Sequence, residues 1–211
     1  GFDKFVSQAD FPADDKVNDG KYMSDKSFTD ELLRQLPADG PPRFILGISI
    51  EAHGPYDQEF GIDTKVRDAI PVPDKVTGDA RRQLQNYIYH IRHADLELGR
   101  LVDTLAQRQR PTIVVFFGDH LPAIVPAFQQ AGFRNGKDFL VQTVPYLVID
   151  TSSMHTATAV KKEVAAWELP GMALDQAGVH ADPWFALTQV VAPQLAPLTR
   201  AFDAPQAAED A

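Results

Sequence analysis

Apolar residues in this chain fall into short unbroken runs and one long periodic stretch, and the two kinds predict different elements. Thr112 to Phe117 is nearly all apolar and rich in β-branched and aromatic side chains, which predicts a strand buried on both faces. It stops at Gly118, where the backbone can turn without a side chain in the way. Asp119, His120 and Pro122 follow. Residues 43 to 50, Arg-Phe-Ile-Leu-Gly-Ile-Ser-Ile, predict a second buried strand that runs into Glu51-Ala52-His53-Gly54-Pro55-Tyr56. Pro145 to Ile149 predicts a third.

Helical spacing marks the rest. Phe28, Leu32, Leu33 and Leu36 predict a first helix, with Ser27 as N-cap, Asp30 three residues on and Pro37 as its stop. From about 79 to 108, Leu84, Tyr87, Ile88, Ile91, Leu98, Leu101, Val102 and Leu105 recur mostly three and four apart, with arginines and glutamine between them. This long helix is expected to lie on the sheet and to join the first two strands by a right-handed crossover. A short helix is expected over 156 to 167, ending before Pro170-Gly171. A last one is expected from Pro183 to Val191, capped by Asp182. Residues 1 to 23 and 57 to 77 carry no sustained period. The pattern predicts an α/β fold with a mostly parallel sheet flanked by helices, present as a partial domain over residues 1–199, and a frayed tail over 200–211.

Composition narrows the function. The chain has 211 residues, 20 Lys plus Arg against 29 Asp plus Glu, and a formal charge of −9. Nucleic-acid binding draws on basic contacts to phosphates, so this balance argues against it, as it does against a basic lipid-binding face. No cysteine is present, which removes disulfides, thiolate nucleophiles and Cys-ligated zinc. No apolar run reaches the ~18 residues that span a bilayer. The opening Gly-Phe-Asp-Lys-Phe reads as part of a longer protein.

Chemistry in parallel α/β sheets sits beyond the carboxyl ends of the strands. His53 and the pair Asp119-His120 hold matching positions after two predicted strands, so all three are expected around one divalent ion. A carboxylate and an imidazole suit manganese, zinc or magnesium. Two protein ligands fall short of the usual three, so others are expected from elsewhere. The competing reading of His53 is a loop histidine bonded to backbone. Asp95 falls on the apolar stripe of the long helix and is expected to be a buried structural carboxylate. His90 and His93, one turn apart, have a metal-pair spacing but read first as a solvated face. His155 and His180 read as surface residues.

Five segments together resemble one family. They are Gly1-Phe-Asp-Lys-Phe, Ser24 to Asp30, Ile48 to Tyr56, Tyr87 to Gly99 with Ala94-Asp95 and Leu98-Gly99, and Val115-Phe-Phe-Gly-Asp-His-Leu-Pro. They are similar to the lipoteichoic acid synthase and phosphoglycerol transferase branch of the sulfatase family, within the alkaline phosphatase superfamily. The resemblance runs from residue 1 to about 150 and is looser beyond. It implies that Asp119 and His120 bind a divalent metal, manganese foremost and magnesium or zinc otherwise, and that His53 contacts the substrate phosphate. It also implies an alkaline-phosphatase-like fold, and that the nucleophilic threonine or serine and an acidic ligand lie upstream, leaving no nucleophile in this chain. The implied reaction transfers phosphoglycerol from a phosphatidylglycerol-type lipid to a glycan or polymer acceptor through a phosphoryl-threonine. The implied setting is the periplasmic face of a bacterial inner membrane, in a membrane-anchored parent. Glu51-Ala52 stands where many members have Ser-Asn or similar, so local substrate contacts differ here. The alternatives are a sulfatase or phosphatase of the same superfamily, or a binding module that lost the chemistry. A chain cut from such a domain exposes a sheet edge and is expected to self-associate.

Overall fold

The computed structural model describes residues 1–12, 15–17, 21–59, 61–108, 110–153, 159–180 and 182–202. They form two compact units, one from Gly1–Arg110 with Leu121–Phe139, the other from Pro111–His120 with Leu140 onward.

The first unit is built on helices. A small antiparallel pair comes first, β1 (Lys16–Val17) with β2 (Tyr22–Met23). Then follow α1 (Asp25–Gln35), α2 (Thr64–Asp68), the 29-residue α3 (Gly78–Ala106) and α4 (Val125–Ala131). The cap of α1 is Ser24 rather than the expected Ser27: Ser24 holds an extended backbone, and its Oγ accepts from the Ser27 N–H at 3.1 Å. At the other end of α1, Arg108 donates to the carbonyls of Leu33 and Leu36, and Arg110 to those of Pro37, Asp39 and Pro41. Two guanidinium groups thus satisfy carbonyls that a helix end and a Pro-rich connector leave open.

The long helix forms where its period predicted it. Within the first unit it packs on α1, α2 and α4. Tyr56, Val76, Ala80, Ile124 and Ala127 make the buried core there, with Leu84, Tyr87 and Phe128 against it. Tyr56 meets Tyr87 edge to face, with ring centroids 5.6 Å apart. Asp95 is exposed, which corrects the expectation of a buried carboxylate. Leu96, off the apolar stripe, is exposed as well.

The second unit holds β3 (Ile113–Phe117), β4 (Tyr146–Asp150), α5 (Leu169–Gln176) and α6 (Pro183–Phe202). The two strands pair antiparallel, from Ile113 opposite Asp150 to Phe117 opposite Tyr146. Bonds from Gly118 N–H to the Pro145 carbonyl and from Thr151 N–H to the Thr112 carbonyl extend the ladder at both ends. α5 packs on both strands and on α6.

Several expectations change. Among the described residues no parallel pair forms: both ladders are antiparallel, and residues 43–50 run without a ladder. Those residues lie against α1, close enough that a Cβ on Gly47 would meet the Phe28 ring at 2.7 Å. Phe44, Leu46 and Ile48 remain exposed. β3 is half-buried rather than covered on both faces, since a two-stranded sheet has too little to cover it. Pro170 begins α5 instead of ending a helix, as suits a residue that lacks an N–H and has its φ preset. Of the helix expected over 156–167, residues 156–158 lie outside the described residues, as does His155. The last helix continues past Val191 to Phe202. Among the described residues no helix is long and apolar enough to cross a membrane.

Candidate functional site

Three groups of side chains carry candidate chemistry. The first follows β3. Gly118 closes the ladder so tightly that a Cβ there would lie 3.3 Å from the Val144 side chain, and the chain then turns into Asp119 and His120. Asp119 Oδ1 accepts from the His120 backbone N–H at 2.9 Å, while Oδ2 lies 3.6 Å from His120 Nε2. Both side chains are largely exposed. Two ligands of one ion, each ~2.0–2.2 Å from it, stand at about this separation. One carboxylate oxygen and one imidazole nitrogen make a donor set for manganese, zinc or magnesium, so these residues fit the expected metal.

The second group is the turn carrying His53, in the first unit. Its backbone is held from several sides. The His53 N–H donates to the Ile50 carbonyl, Tyr56 Oη to the Ala52 carbonyl at 2.9 Å, and Tyr22 Oη to the Gly54 carbonyl at 2.9 Å. The Gly54-Pro55 peptide is cis. Below the turn, fully buried Asn86 donates to the carbonyls of Tyr56 and Gln58 and accepts from Arg67 at 2.8 Å. Glu59 and Asp68 pair with the same guanidinium. His53 is exposed, with its Nδ1 2.9 Å from the Gly54 carbonyl and the Tyr22 ring edge-on to it. A carbonyl only accepts, so Nδ1 carries the proton, and proton transfer by this imidazole runs through Nε2. His53 belongs to the first unit and the Asp119-His120 pair to the second.

The third group went unrecognised in the sequence. Glu51 is buried, and its Oε1 lies 2.7 Å from His93 Nδ1 and 3.4 Å from His90 Nδ1. Its Oε2 accepts from the Asp25 backbone N–H at 2.7 Å. The ligand-capable atoms of Glu51, His90 and His93 all lie within 4.8 Å of one another. Tyr89 sets its ring edge-on against both imidazoles. Burial alone would raise the Glu51 pKa, but hydrogen bonds from His90, the Asp25 backbone and His93 prevail and hold it near 2. Burial pushes Asp25 the other way, helped by the Glu51 charge, up to about 7. The signals available in the sequence were the i, i+3 spacing of His90 and His93 and the unusual Glu51. What pattern could not give was that this face of α3 meets the turn at residue 51. His180 is exposed and sits 3.4 Å from Asp175, a surface pair.

Comparison with known proteins gives a consistent result. The Sulfatase family model matches residues 1–179. Over 138 residues the chain is 35% identical to a putative cyclic beta-1,2-glucan modification protein of Rhizobium meliloti (strain 1021), covering 64% of this chain and 20% of that protein. Over 167 residues it is 27% identical to the capsular polysaccharide biosynthesis protein RkpI of the same organism, covering 78% of this chain and 27% of that protein. Among solved structures, it is similar to Streptococcus pyogenes phosphoglycerol transferase GacH in complex with sn-glycerol-1-phosphate. The TM-score is 0.62 at 20% identity, over 82% of this chain and 42% of that one. The chain therefore spans about a fifth to a quarter of the curated relatives it matches.

Proposed function

The chain belongs to the sulfatase family, and from that premise we propose that it is the C-terminal part of the catalytic domain of a metal-dependent phosphoglycerol transferase. The observation that carries the reading is the Asp119-His120 pair, set on a turn directly after a strand with donor atoms 3.6 Å apart. Support comes from the motif resemblance around His53 and Asp119, from the family match and from the glycan-directed name of the 35% identical relative. The solved phosphoglycerol transferase, at 20% identity, supports the fold alone.

In this reading Asp119 and His120 hold a divalent metal, manganese foremost. Such an ion supplies Lewis acidity and counter-charge for the phosphoryl oxygens. His53, steadied by Tyr22, Tyr56 and the Gly54 carbonyl, hydrogen-bonds a phosphoryl oxygen or protonates the leaving oxygen through Nε2. The nucleophile and an acidic ligand come from the part of the protein that precedes these residues. The donor is a phosphatidylglycerol-type lipid and the acceptor a glycan, at the periplasmic face of a bacterial inner membrane in an anchored parent.

The test is transfer by the longer protein that carries this chain, with phosphatidylglycerol and a glucan as substrates. Turnover is expected to require manganese. Asp119→Ala and His120→Ala are each expected to lower it about a hundredfold or more, as removal of a charge-stabilising ligand does. The 211-residue chain alone is expected to be silent, and robust metal-dependent turnover of a phosphodiester by it would overturn the partial-domain reading. Cleavage of sulfate esters without phosphoglycerol transfer would assign a sulfatase instead. Failure of the intact protein to retain manganese would leave a non-catalytic module.

A further inference from the structure

A buried carboxylate facing two imidazoles is unusual in a region that the proposed transferase chemistry does not use. Glu51 comes from the turn before His53, and His90 and His93 from successive turns of α3, so the group is assembled from two separate stretches of chain. Both imidazoles present Nδ1 to the same oxygen, Glu51 Oε1, at 2.7 and 3.4 Å. The edge of a tetrahedron of ligands ~2.0–2.1 Å from zinc is about 3.4 Å, so small shifts of these three side chains would seat an ion. The other Glu51 oxygen is held by the Asp25 N–H, the kind of outer hydrogen bond that orients a metal-bound carboxylate.

A second observation points the same way. Asp25 is only 3% exposed, and among the described residues neither of its carboxylate oxygens has a hydrogen-bond partner. Its charge neighbours are Glu51, Glu97 and His93. A purely structural Glu-His network accounts for Glu51 but leaves Asp25 as a buried acid among other acids. Native proteins rarely keep a buried polar group without a partner. A divalent cation beside Glu51 supplies the missing counter-charge, and Asp25 supplies an acidic group at its edge. His93 is 41% exposed at its side chain, which gives an ion a way in, while His90 and Glu51 are covered.

We propose that Glu51, His90 and His93 form a divalent-cation site of zinc type, additional to the Asp119-His120 pair, with Asp25 as its nearby acidic partner. Two imidazoles and a carboxylate are a donor set that favours zinc over magnesium or calcium. Coordination through Nδ1 of either imidazole places that ring's proton on Nε2.

The proposal is tested on the untagged 211-residue chain carrying Asp119→Ala and His120→Ala, which removes the first pair at exposed positions. This variant is expected to bind one equivalent of Zn2+ against a chelating indicator. X-ray absorption of that zinc is expected to show two imidazole ligands. Adding His90→Asn and His93→Asn is expected to weaken binding at least about a hundredfold, the loss that follows removal of metal-ordering groups. Circular dichroism checks that these chains remain folded. Absence of zinc binding in the first variant overturns the proposal. So does binding that survives the histidine changes in a folded chain, since the ion would then rest on other residues. If the histidine variants fail to fold, the absorption spectrum decides alone: bound zinc without two imidazoles overturns the site.

Discussion

At the scale of single residues, burying the Asp25 carboxylate carries a cost. It is buried beside Glu51 and has no hydrogen-bond partner among the described residues. Its ordinary value of 3.8 rises to about 7 in the folded chain, so the native state favours the protonated form. The sign follows from linkage: whatever Asp25 contributes is fully present below pH about 4 and is lost as pH rises through about 7. Glu51, held near 2, contributes above its ordinary 4.5 and loses that contribution only as pH falls through about 2. In a chelator, Asp25→Asn is therefore expected to stabilise the chain at pH 8 by about 1–3 kcal/mol, because the amide removes a buried charge beside Glu51. The difference should shrink as pH falls from about 7 and largely vanish by about pH 4. Urea unfolding at the two pH values checks this, and an equal change at both would show that charge is not the cause.

At the scale of elements, the His53 turn depends on α3 through one buried amide. Asn86 ties the carbonyls of Tyr56 and Gln58 to the helix and passes the connection to Arg67. Asn86→Ala leaves two carbonyls and a guanidinium short of a partner, so a loss of about 2–4 kcal/mol is expected in thermal or urea melts. Asn86→Asp keeps the acceptor for Arg67 but loses the donor, and should fall between. A second contact joins residues 43–50 to α1. Gly47→Ala places a Cβ against Phe28 and Leu32 and is expected to cost about 1–3 kcal/mol by overpacking. Combining it with Phe28→Leu should recover part of that loss, and a purely additive double variant would refute the clash.

These elements also show what pattern could and could not reveal. The period of Leu84 to Leu105 located α3 to within two residues of its ends, because a helix closes its hydrogen bonds locally. The apolar runs located β3 and β4 as strands, but not their antiparallel pairing, because a ladder depends on distant partners. The same limit explains residues 43–50, whose strand-like composition finds no ladder. Candidate chemistry divides likewise. Asp119 and His120 are adjacent in sequence and stay adjacent in space. Glu51 joins His90 and His93 across some forty residues, a meeting that follows from how α3 crosses the turn at residue 51.

At the scale of the whole molecule, the chain presents strand-like surface that it does not itself cover. Phe44, Leu46 and Ile48 alternate in sequence and are 78%, 57% and 74% exposed, and among the described residues their segment joins no ladder. In a strand, alternation at period two would put all three on one side. An unpaired apolar strand is a template for pairing with another chain. The chain covers 42% of its structural neighbour, so in the proposed transferase the preceding part of the catalytic domain is expected to lie along this segment. Without that part, the occupant available is a second copy. The isolated chain is accordingly expected to associate as its concentration rises, and Leu46→Lys with Ile48→Lys should move it towards monomer. Sedimentation across a concentration series measures this. A wild-type chain that stays monomeric at tens of micromolar would show that the exposed segment needs no partner. Association unchanged by the two lysines would place the contact on another surface.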